Sequence, residues 1–114
     1  MRRTLLVAMA MSISPVALAH HGWSGYDMSK ALKLTGKVLE SGYEHPHGQL
    51  RFAGPGKTWN VVLAPPSRME RRGLDKARLR PGATLTVEGY ANRDRPGEMR
   101  AERVTIDGRT IELR

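Results

Sequence analysis

Residues 31–43 alternate in character around a central glycine, and this pattern limits the fold more than any other feature of the chain. Leu32, Leu34 and Val38 share one face with Gly36, while Lys33, Thr35 and Lys37 share the other. That is the period of two expected of a half-buried strand. Gly36 in the middle of so long a strand marks the place where it would kink or bulge in a strongly bent barrel.

The segments that follow repeat the alternation in shorter form. Glu44-His45-Pro46-His47-Gly48 interrupts it, because proline cannot donate to a ladder and pushes the residue before it towards an extended conformation. Leu50 and Phe52 then share an inward face, Gly54-Pro55-Gly56-Lys57 reads as a turn, and Trp59, Val61 and Leu63 share the next inward face, so the second and third strands form a hairpin. Pro65-Pro66 stops the third strand. Ser67 and Glu70 have the spacing of a capping box, and Gly73 fits the end of a helix of one to two turns. A turn is expected across 75–78.

Leu85 and Val87 define a fourth strand with Gly89 at a sharp bend, and 92–97 is a polar turn. In the fifth strand Met99 and Ala101 have one parity and Val104 and Ile106 the other, which a β-bulge near Glu102-Arg103 reconciles. Asp107-Gly108 predicts a type I′ hairpin pairing Val104 with Ile111.

Five short strands with a helix between the third and fourth is the element order of an OB-fold. The expectation is therefore an all-β domain with one short helix, a small OB-fold-like Greek-key barrel. An open sheet packed on one helix is the alternative. Closure is preferred because it explains the mid-strand glycines and removes exposed edges.

The amino terminus reads as an export signal. Met1-Arg2-Arg3 is basic, Leu5 to Met11 is apolar, and Ala17-Leu18-Ala19 suits signal peptidase. The apolar run is shorter than the roughly 20 residues that span a bilayer. Without residues 1–19, the 114-residue chain is 95 long, which divides into an arm at 20–30 and one barrel domain at 31–114. Gly22, Gly25 and Ser29 suggest that the arm lies along the barrel, tethered by Trp23 and Tyr26. The expected location is the periplasm, as a monomer with no transmembrane segment after signal removal.

Charge and composition narrow the chemistry. The 19 basic residues fall to 17 when Arg2 and Arg3 leave, against 11 acidic ones, for a mature charge of +6. A basic exported domain suits an anionic membrane surface or an acidic partner, and its compartment argues against cellular nucleic acid, so the expected partner is a protein or a small molecule. Arg68, Arg71, Arg72, Lys76, Arg78 and Arg80 crowd around the helix, where they read as a solvated face. There is no cysteine, which excludes disulfides and thiolate metal sites and leaves histidine as the strong nitrogen ligand.

Four histidines remain: His20, His21, His45 and His47. Cleavage after Ala19 would make His20 the mature terminus, with an α-amine and a ring Nδ1 able to chelate one ion. A third nitrogen from His47 or His21 would complete the T-shaped or square-planar set that copper(II) favours. The amine, with a free pKa of about 7.7 to 8.0, deprotonates at little cost near neutrality. If extended chain persists through Pro46, His45 and His47 point to the same side. The site requires the arm to fold back from the start of the first strand to the turn at its far end, a distance about eleven residues can just span.

Taken in order, His20-His21-Gly22-Trp23, the Leu34-Thr35-Gly36-Lys37-Val38 strand, Pro46-His47, Trp59, Arg72-Gly73, Pro81-Gly82 and Asp107-Gly108-Arg109 resemble a widespread family of short exported bacterial proteins of unknown function. That family opens with paired histidines and an aromatic and carries an Asn-Pro-His turn. Here His45 replaces the asparagine and Trp23 the more usual phenylalanine, so the resemblance makes His45 the least essential of the four.

No nucleophile stands beside a base, and neither paired carboxylates nor a phosphate loop is present, so the chain does not read as an enzyme. The competing reading is a metal-free binding module that uses the barrel face of the second and third strands, or the basic helix. It needs outward aromatics for stacking. Phe52 and Trp59 instead have the inward parity.

Overall fold

Alternation sets which residues go inward, and pairing then closes the strands on themselves. A computed structural model describes residues 22–114; the expected export signal, His20 and His21 lie outside the described residues. β1 (Leu32–Gly42), β2 (Gln49–Gly54) and β3 (Lys57–Val62) form an antiparallel meander, with Phe52 opposite Trp59. A short helix α1 (Pro66–Arg71) and a 3-10 turn at Lys76–Leu79 lead to β4 (Thr84–Ala91), which pairs with the other edge of β1. β5 (Glu98–Ile106) pairs antiparallel with β4 and parallel with β3, bringing Val62 opposite Arg100. That last pairing closes a five-stranded barrel in the OB order, and β6 (Arg109–Glu112) extends β5 as a hairpin arm.

The core is built from the expected inward positions. Val38, Leu50, Phe52, Val61, Leu63, Leu85, Val87, Met99 and Val104 are all at most 2% exposed, and Met69 and Leu74 join the same core. Asp107 and Gly108 both have positive φ, as a type I′ turn requires, and Val104 faces Ile111. Glu102 is the extra residue on β5, skipped between the Glu88–Arg103 and Gly89–Ala101 pairs, so the bulge falls where the phase slip placed it.

Two local expectations are corrected. The bulge in β1 is at Leu39, between the Val38–Phe52 and Glu40–Arg51 pairs, and leaves that leucine 44% exposed. Gly36 serves a different purpose: a Cβ there would lie 2.0 Å from the Ala53 carbonyl oxygen, so only glycine permits the strand crossing. The helix starts earlier than the Ser67 capping box implies. Pro65 is the N-cap, with proline in the first turn and no side-chain capping bond. The fixed φ and missing N–H of Pro66 suit that first turn, which places Ser67 inside the helix.

Candidate functional site

The arm is fixed to the barrel by its backbone and by two aromatic residues. Tyr26 bridges Asn92, the Asp27 amide donates to the Ala91 carbonyl at 2.8 Å, and the Arg93 amide donates to that of Gly25 at 2.9 Å. The Tyr26 hydroxyl donates to Glu98 at 2.9 Å, and Glu98 also accepts from the Asn92 amide at 2.7 Å. Trp23 meets Tyr26 and Tyr90 edge-on, with ring centres 6.4 and 6.2 Å away. The Arg100 and Arg114 guanidiniums lie 4.4 and 4.8 Å from the centre of its indole. The arm thus binds through both partners anticipated from sequence.

This anchoring carries the start of the described chain to the 44–48 loop. Gly22, Ser24, Gly25 and Tyr26 line one open cleft together with Pro46, His47, Gln49, Arg68, Glu98 and Arg100. A smaller cleft of about 420 Å³ on the other side of the loop is lined by His45, His47, Glu40 and Glu44. His47 therefore faces both clefts, whereas His45 is exposed and lines only the smaller one. Residues 45 and 46 form a bend, so the extended alternation that would set His45 and His47 on one side is absent. Among the described residues no group of three or more His, Asp or Glu could hold a metal ion. A metal at His47 would need ligands from His20 and His21, which lie outside the described residues.

The electrostatics of the cleft centre on Arg100, the one charged side chain that is buried among the described residues. Its Nη1 donates to the Gly22 carbonyl oxygen, while its Nε has no acceptor. Burial pulls the guanidinium below its usual pKa, but a group that starts so high stays charged. Burial also pushes the His47 imidazole below its ordinary value, and the Arg100 and Arg68 charges push it the same way. The neutral ring is the form that can donate a lone pair to a metal.

Sequence parity missed Arg100. With Met99 and Ala101 inward, residue 100 faces out of the barrel, where the arm then covers it. The helix arginines were also only half read. Arg68 donates to the Leu113 carbonyl at 3.1 Å, and Arg72 to those of Glu112 and Arg114 at 2.8 and 3.0 Å, which ties the carboxyl terminus to α1. On β2 and β3 the aromatic residues are inside: Phe52 is fully buried and Trp59 is 8% exposed, with Lys57 Nζ 3.9 Å from the centre of its ring. The outward positions Gln49, Arg51, Thr58 and Asn60 offer no ring to stack on.

Fold and site together define a small closed OB-like barrel with an arm-covered, histidine- and arginine-lined cleft. Residues 8–100 match a family of unknown function, DUF6152, and the chain belongs to that family. No curated protein matches the sequence. Among the described residues no helix is long and apolar enough to cross a membrane.

Proposed function

We propose that the protein is an exported metal-handling module whose mature chain begins at His20 and binds copper(II). His20 supplies its amine and ring nitrogen, His47 the third nitrogen, and His21 and His45 are secondary ligands. The observation that carries this reading is that Gly22, two residues from His20, lines the same cleft as His47. Consecutive Cα atoms are about 3.8 Å apart, so the reading asks the two residues before Gly22 to bridge from that wall of the cleft to the ring. The neutral imidazole at position 47 supports the reading as well. Arg68 and Arg100 oppose a bare cation by Coulomb repulsion, so the chelate of neutral nitrogens must outweigh them.

The test is native mass spectrometry of protein purified from its exported fraction, with and without stoichiometric copper(II). The expected species begins at His20 and takes up one copper. Affinity should fall more when His20 is replaced, or when the cleavage shifts by one residue, than when His45 is replaced. A mature chain starting elsewhere, or equal affinities across these variants, removes the terminal chelate. The metal-free alternative, a binding face on β2 and β3, loses support from the burial of Phe52 and Trp59.

A further inference from the structure

Arg100 raises a question that a histidine site does not answer. A buried charge is costly unless it is paired, and the partners of Arg100 are a carbonyl and a ring face, with Nε left unsatisfied. Every ion pair among the described residues belongs to Arg95, Arg103 or Arg114. Residues 1–21 contain no aspartate or glutamate, so they cannot supply the missing carboxylate. Glu98, in the same cleft, is already engaged by Tyr26, Asn92 and Arg95.

A second guanidinium faces this one. Arg68 enters the same cleft from α1, gives one Nη1 bond to the Leu113 carbonyl, and has no acid in ion-pair range among the described residues. The two charges repel each other, and both act on His47. Two guanidiniums and an imidazole brought into one cleft, with Gln49 beside them, form a donor set suited to an anion with several acceptor oxygens. Arginine matches planar or tetrahedral oxyanions through its fork of N–H groups.

We propose that the cleft binds a small oxyanion, a carboxylate or phosphate group, between Arg100 and Arg68 with His47 at its edge. The site does not require the metal. The anion would offset the repulsion between the guanidiniums and shield a cation at His47 from them. If both ligands bind, each raises the affinity for the other by the same factor.

The experiment uses chelator-treated mature protein at constant ionic strength, titrated separately with inorganic phosphate and with acetate. Binding is read by calorimetry and by the NMR signals of the arginine Nε–H groups and the His47 ring. A saturable response at Arg100, Arg68 and His47 is expected. Arg68→Gln should weaken it about 10-fold or more, the effect of losing one charge-assisted hydrogen bond, while the exposed Arg71→Gln leaves it unchanged. Arg100→Lys is the second variant; it keeps the charge but loses the fork, and should weaken binding without releasing the arm. Tighter phosphate binding assigns a phosphorylated ligand, and tighter acetate binding a carboxylate. No saturable response to either anion, or equal weakening by Arg68→Gln and Arg71→Gln, overturns the proposal and leaves the copper reading untouched, because no metal is present.

Discussion

The Arg100 guanidinium lies 4.4 Å from the centre of the Trp23 ring and also donates to the carbonyl of Gly22, so a single side chain of β5 holds both the backbone and the aromatic anchor of the arm. Arg114 adds a second guanidinium to the same indole at 4.8 Å. The arm is thereby joined to the wall of the barrel and to the end of the chain.

Trp23→Ala should therefore loosen the arm more than the barrel. The loss combines part of an aromatic side chain's burial with the cation–π contacts, about 1–3 kcal/mol in all. Urea denaturation followed by circular dichroism should show the reduced stability. Limited proteolysis should show faster cleavage within 22–30 while the barrel strands stay protected.

Gly36→Ala and Gly89→Ala are expected to be far more damaging than their size suggests. An added Cβ would meet the Ala53 carbonyl oxygen at 2.0 Å in the first case and that of Arg100 at 1.9 Å in the second, both rigid backbone atoms. The strands would have to separate, at a cost of several kcal/mol, about the most a single substitution produces. Gly42→Ala, which has nothing within 4 Å of its Cβ, should stay within about 0.5 kcal/mol of the parent. Thermal unfolding of the three variants provides the comparison.

Alkaline pH should weaken the arm through Tyr26. Burial first, and then the bond to Glu98, raise the hydroxyl above the ordinary tyrosine value of about 10. A raised folded-state pKa means that the unfolded chain ionises first. The contribution is complete below about pH 10 and is lost as pH rises through the folded value. Stability measured across that range should fall more steeply in the parent than in Tyr26→Phe, and the ultraviolet titration of the variant should lack one late-ionising component, although Tyr43 and Tyr90 are raised as well.

Removing the guanidinium of Arg72 should fray the carboxyl terminus with little effect on global stability. The bonds from Nη1 to the carbonyls of Glu112 and Arg114 are exposed, and exposed interactions of this kind are worth about 1 kcal/mol or less. In Arg72→Ala, hydrogen exchange should accelerate at the Leu113 amide, which donates to Glu102, while the amides of β1 and β4 keep their protection.

Side-chain alternation and turn chemistry are local, so the strands, their inward faces, the hairpin at Asp107-Gly108 and the bulge at Glu102 are legible in the chain. The same alternation puts Phe52 and Trp59 in the core. The β1 bulge at Leu39 was not legible: a single extra residue facing solvent leaves the apolar pattern of Leu34 and Val38 intact. The helix start was misread because Pro66 and Ser67 both favour a first turn, and the proline prevailed through its missing N–H. What the cleft contains depends on contacts between segments distant in the chain. His47 and Gly22 are far apart in sequence and line one cleft because the β3–β5 pairing sets the start of β2 beside Arg100, where the arm is anchored past the end of β4. Arg100 is buried because that arm covers an outward-facing position of β5, a burial that strand parity cannot register.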